Sequence, residues 1–339
     1  MLSSRITAIT VVLNTFFLCV VVYFLEYLYL YNKSVEIFGV AMFSKVFAFF
    51  AVFIAMYVLK MKWRSIGFTA KRTKVLSGLA MSLPIIVVST VIACLVVYGL
   101  ASMRGIECDI RLAINVSKLE SAGTTSPGAI SYVTWFISAF ITAWMLETLF
   151  RSFMLQTLNR YLRFYAANTI NIVCSIIWQL LIYILRVTFK DMTICVFLRS
   201  VVFCSIMYGF AAARRSLYVR AQGNIWPCFF DSFFVLLILQ NLKVTISFPD
   251  NYVVSNPIDF LLSFMSTKSA NATYGTIALF CIANIIAFII TAIYCHILKK
   301  KSRMHYLQVA TEHTAKRDRE IKNQEEHSDG SAETGLANE

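Results

Sequence analysis

Long apolar runs separated by short polar and basic connections dominate the chain from its first residues to about residue 300. A spanning helix needs about 20 mostly apolar residues. About eight runs reach that length, near 7–31, 36–59, 77–102, 129–150, 167–189, 193–212, 225–242 and 274–297. The first is too long for a signal peptide and lacks a small-residue cleavage site, so it reads as a retained helix. The expected fold is all-α, a polytopic membrane bundle of about eight transmembrane helices, because helices satisfy their own backbone groups in lipid. At about residue 300 the pattern stops. The membrane domain, 1–300, gives way to a polar tail, 301–339, in which Lys316 and Glu320 are spaced for a helix-surface pair. The last stretch, HSDGSAETGLANE, has the composition of a disordered segment.

Composition agrees with the pattern: 58% of residues are apolar and only 14% charged, with a mean hydropathy of +0.69. A soluble domain does not carry so little polar surface. The net charge of +13 is distributed by topology. The connection 60–76 holds Lys60, Lys62, Arg64, Lys71, Arg72 and Lys74, whereas 31–35 holds only Lys33. Positive residues favour the cytoplasmic side, which places 60–76 inside. Counting alternately, the other inside segments carry Arg151, Arg160 and Arg163, then Arg214, Arg215 and Arg220, then Lys299, Lys300, Lys301 and Arg303. The expectation is a multi-pass protein of the cell membrane with both termini cytoplasmic. Its basic residues lie along membrane borders, so the partner they imply is the lipid bilayer and not nucleic acid. The nine cysteines form no CxxC pair and read as packing residues. Asn115, in Asn-Val-Ser, fits a glycosylation sequon on the outer side.

Ionisable residues inside the spans cost about 2.5–3.5 kcal/mol each on insertion scales, so each needs a reason. They are Glu26, Lys45, Glu147, Arg151, Arg199 and Asp231. Glu26, Lys45 and Arg199 lie within a few turns of a span end, where snorkelling or a local partner suffices. Glu147 and Arg151 stand at i and i+4, which stacks them on one helix face as an ion pair. Asp231 lies at a depth similar to Glu147, so the expectation is a polar cluster of Glu147, Arg151 and Asp231 near the cytoplasmic leaflet. All four histidines, His296, His305, His313 and His327, fall at or beyond the end of the last run. That excludes HExxH-type zinc chemistry and leaves a Ser–His or Cys–His nucleophile in the membrane unsupported. Neither GxGxxG nor GxxxxGK[ST] occurs, so no cofactor and no metal is expected.

Several stretches, in order, resemble the CAAX protease and bacteriocin-processing (CPBP) family of intramembrane proteases. LETLFRSFMLQTLNRYL (146–162) is similar to a first motif of two glutamates, three residues and arginine. NIVCSIIWQLLIYI (171–184) is similar to a helix with an aromatic residue, three residues and histidine. FCSIMYGFAAARRSLYVRAQGNIWPCFFDSFFVLL (203–237) is similar to the family's glycine-bearing helix, basic turn and final His-xxx-Asn helix, and WRSIGFTAKRTKVLSGLAMSLPI (63–85) to the approach before them. The resemblance covers about 60–240.

In active members it implies a glutamate that polarises water for attack on a peptide bond, with histidine and asparagine assisting. Carried over residue by residue, the first glutamate falls on Leu146, and the second glutamate and the arginine survive as Glu147 and Arg151. The middle aromatic becomes Trp178 and its histidine Ile182. The last histidine becomes Asp231 and its asparagine Val235. Leucine, isoleucine and valine can neither move a proton nor donate to an oxyanion. The leading expectation is thus a catalytically degenerate member, a pseudoprotease that binds a hydrophobic or prenylated peptide, a lipid or a membrane protein partner. One alternative is an active endopeptidase, with Glu147 as the water-activating base after a register shift of one, or with Asp231 as base beside Glu147. The other is a transporter or channel component, against which stand few midplane Gly/Pro breaks and no inverted repeat.

Overall fold

A computed structural model describes residues 2–38, 41–68, 71–112, 129–188, 194–238, 242–249, 255–256, 258–259, 262 and 279–298. The apolar runs form helices α1 (Leu2–Tyr29), α3 (Phe43–Val58), α4 (Arg72–Met103), α5 (Ala129–Glu147), α7 (Phe164–Thr188), α8 (Ile194–Gln222) and α9 (Trp226–Leu237). A short α2 (Tyr31–Phe38) follows α1. The helix α5 runs through a π-helical segment, Thr148–Met154, into α6 (Leu155–Asn159). The last described helix, α10, is Leu279–Leu298. Two compact units divide the chain, Met1–Ala292 and Ile293–Glu339. Of the second, only the end of α10 lies among the described residues; the rest of the polar tail, with His305, His313 and His327, lies outside them, as does the Asn115 sequon.

Among the described residues, five helices are long and apolar enough to cross a membrane: Arg5–Tyr29, Arg72–Met103, Tyr132–Asn159, Phe164–Leu185 and Leu279–Leu298. At about 1.5 Å per residue, each reaches or exceeds the roughly 30 Å hydrocarbon core. Their outward faces stay apolar, with Phe17 67% and Leu95 64% exposed. A water-facing surface would not hold such patches. Two apolar helices are shorter, α3 and α9. Buried hydroxyls bond back to their own helices, as lipid offers no water. Thr15 donates to the Val11 carbonyl at 2.7 Å, Ser82 to that of Gly78 at 2.9 Å and Thr90 to that of Ile86 at 2.7 Å.

At one end of the first unit the connections interlock. Gly67 adopts φ +90 to close the 3-10 turn Trp63–Ile66, and its carbonyl accepts the Ile225 amide at 3.2 Å. The neighbouring Ile66 carbonyl accepts Ser152 Oγ and Gln156 Nε2, and Arg160 reaches the Ser65 carbonyl at 2.8 Å. Below this knot α4 and α9 approach closely. A Cβ on Gly78 would stand 2.8 Å from the Trp226 backbone carbon and 2.9 Å from the Pro227 nitrogen. Aromatic rings on α5 and α9 then interleave, Phe140 and Trp144 against Phe229 at 5.2 and 5.5 Å.

The other end holds a feature absent from an all-helical expectation. Strands β1 (Glu107–Leu112) and β2 (Leu242–Ser247) pair antiparallel, with Glu107 opposite Ser247 and Leu112 opposite Leu242. Ile106, Val244 and Ile246 pack with Ala93 and Val97 of α4 and with Leu279 and Ala283 of α10. Nearby, Arg104 donates two hydrogen bonds of 2.7 Å to Asp259.

Candidate functional site

The site grows from the junction of α5 and the π-helical segment. Glu147 ends α5, and all seven residues of the π turn, Arg151 included, are buried. A π turn holds one residue more than an α turn, so the stacking expected at i and i+4 loosens. The Arg151 Nε stands 3.6 Å from Glu147 Oε2, an ion pair longer than a hydrogen bond. The guanidinium reaches away instead, with Nη1 donating to Ser175 Oγ of α7 at 3.1 Å.

Two arginines of α8 complete the cluster. Arg214 donates to Asp231 as a fork, Nε to Oδ1 at 2.9 Å and Nη2 to Oδ2 at 2.8 Å. Its Nη1 donates to Asn284 Oδ1 of α10 at 3.1 Å. Arg215 bridges the two acids, Nε to Asp231 Oδ2 at 2.8 Å and Nη1 to Glu147 Oε1 at 3.0 Å. Arg214 and Asp231 are wholly buried and Glu147 is 1% exposed. Asp231 owes its place to the turn before α9, where Gly223 takes φ +63 and Asn224 Oδ1 accepts the Trp226 amide at 3.1 Å. Charge-assisted bonds of this length are the strong ones. They are also what allows carboxylates to remain charged away from water.

The three residues anticipated as a cluster, Glu147, Arg151 and Asp231, are therefore brought together, with Arg215 as the link between the acids. The position of the α8 arginines requires a correction. The sequence pattern ended the sixth run at 212 and set Arg214 and Arg215 in an inside connection; α8 continues to Gln222, and both serve as counter-ions to buried acids. Arg151, counted as a border cation as well, is likewise buried. A signal for this was present: two acids within apolar runs need cations, and the Arg-Arg doublet lies two residues beyond the assigned run end. Ser175 and Asn284 carried no such signal, since lone polar residues in a helix are common.

The remaining motif positions are apolar surroundings. Leu146 is buried, Trp178 packs edge-on against Tyr23 and Phe150, and Val235 leans on the core beside the strand pair. Ile182 is half-buried on α7. Elsewhere, Glu26 accepts the Phe43 and Ser44 amides at 3.0 and 2.8 Å and so caps α3, and Lys45 donates to Thr142 Oγ1 at 3.2 Å. Both have the local partners expected of them; the Arg199 side chain lies outside the described residues. A groove lined by Thr90, Cys94, Leu95, Tyr98, Cys108 and Ile238 carries no carboxylate or imidazole. Among the described residues no group of three or more His, Cys, Asp or Glu could hold a metal ion.

Three of the four carboxylate oxygens in the cluster accept hydrogen bonds from guanidinium groups, and Glu147 Oε2 accepts none. Asp231 has both oxygens engaged by guanidinium groups, and Glu147 presents Oε1 to Arg215 and Oε2 toward Arg151. No family model, no curated protein and no solved structure matches the chain.

Proposed function

We propose that this chain is a non-catalytic, multi-pass membrane scaffold of the CAAX-protease-like kind, in which the positions of the catalytic set have become a structural ion network. One observation carries the reading: every hydrogen bond to the site's carboxylates comes from an arginine, and Asp231 receives three of them. A general base needs an oxygen free to hydrogen-bond the water it activates, and both oxygens of Asp231 are already held by guanidinium groups. In this reading the chain crosses the cell membrane eight times with both termini in the cytoplasm. It acts by binding a hydrophobic or prenylated peptide, a lipid or a membrane partner. The interlocked connections near Ile66, Ser152 and Ile225 support the grouping of 60–68, 152–160 and 222–226 on one side.

A second reading, an active intramembrane endopeptidase, is favoured by a single atom: Glu147 Oε2 is buried without a hydrogen bond. Incubating the purified protein with prenylated and hydrophobic peptide libraries, alongside Glu147→Ala and Asp231→Ala, separates the two. The expected outcome is no cleavage by any of the three. Cleavage by the wild type that disappears in either variant would establish the endopeptidase.

A further inference from the structure

Beside β1 lies a groove of about 580 Å3, within the roughly 300–1,000 Å3 typical of ligand pockets. One wall is α4, through the exposed side chains of Val91, Leu95 and Tyr98, and the other is β1, through Cys108 and Ile110. The cross-strand neighbours of the two β1 residues do not reach it. Ile246, opposite Cys108, and Val244, opposite Ile110, are buried instead in the core between α4 and α10. The groove therefore follows the side of β1 that faces away from β2.

That side is an open strand edge. Among the described residues β1 pairs with β2 alone, so its second edge presents the N–H and C=O groups of alternate residues with no strand beside them. Glu107, Asp109 and Arg111 alternate with the groove residues and take the opposite face of the strand, where Arg111 pairs with Asp109. The groove wall itself carries no charge, and the Thr90 hydroxyl in it is spent on the Ile86 carbonyl. An acyl chain fills such a space but leaves the polar groups of the edge unpaired, and covering them without a partner is costly. An extended peptide satisfies both surfaces, with its main chain on the edge and every second side chain in the groove, as in β-strand addition.

We infer that the open edge of β1 and the groove between β1 and α4 bind an extended peptide, which adds as a third strand and turns alternate apolar side chains toward Leu95 and Tyr98. From Val91 to Tyr98 α4 rises about 10 Å, room for about three residues of extended chain. The inference deepens the reading proposed above and rests on it for the peptide as ligand. In that orientation β1 lies at the end away from the cytoplasm, so the peptide is one met on the outer side.

The test uses the full chain in neutral detergent and a fluorescein-labelled peptide of about six residues, the length of β1, alternating valine with threonine. Binding is read by fluorescence anisotropy for that peptide and for two forms N-methylated at alternate amides, one at the valines and one at the threonines. Each methylation removes the donors from one edge of the peptide strand and keeps its side chains. The expected result is saturable binding that one methylated form loses by roughly tenfold or more and the other keeps. Leu95→Trp, at an exposed position of α4, fills the groove and should weaken binding by a similar factor. No saturable binding, or binding unchanged in Leu95→Trp, would overturn the site. Equal binding of the two methylated forms, with displacement by oleate, would overturn it in favour of an acyl chain. Mass spectrometry of the recovered peptide keeps the two proposals apart: a cut peptide ends the non-catalytic reading and leaves the site standing, whereas an intact peptide that ignores Leu95→Trp ends the site alone.

Discussion

Asp231 is held by three hydrogen bonds from two arginines, at a point where no water reaches it. The attraction between such charges is large in a dry interior, but so was the cost of removing them from water, and the pair contributes little beyond that cost. What it does enforce is mutual dependence. Asp231→Asn leaves the buried Arg214 guanidinium without its carboxylate, and the expected loss is about 3–5 kcal/mol of stability, read by unfolding in mixed detergent micelles. The paired replacement Asp231→Leu with Arg214→Met removes both charges, and its expected loss is smaller than that of Asp231→Asn alone. An equal or larger loss would mean that packing, and not charge pairing, governs the site.

Between elements, the closest approach is that of α4 to the start of α9, and it depends on Gly78 having no side chain. Small residues at such crossings let backbones pack where lipid supplies no hydrophobic drive. The added carbon of Gly78→Ala would press on backbone, which cannot rotate away, so the expected cost is about 1–3 kcal/mol, measured in the same unfolding assay. At this scale the sequence was readable where physics is local. Each of the apolar runs became a helix, because the hydropathy of a span does not depend on its neighbours. The pairing of β1 with β2 was not readable: ECDIRL and LKVTIS each alternate polar and apolar residues, as strands do, but they lie far apart along the chain and alternation names no partner. The π turn after Glu147 was not readable either: TLFRSFM has ordinary helix formers, and the widening accompanies the burial of Arg151 against α7.

Across the whole first unit, the ion network does what no single helix contact does. It joins the end of α5, the π turn, α7, α8, α9 and α10 through seven side chains. The acids of this network stood out in the sequence because carboxylates in apolar runs are rare. Their cations did not, because an arginine near a span end reads as a topology signal until the helix is seen to continue past it. The arginines that hold α5, α8 and α9 in place engage three of the four carboxylate oxygens of Glu147 and Asp231. The measurement that bears on this most directly is a double-mutant cycle between Glu147→Gln and Asp231→Asn. The two acids share Arg215, so the expected result is a departure from additivity of about 0.5–3 kcal/mol in unfolding free energy. Fully additive losses would contradict a single network.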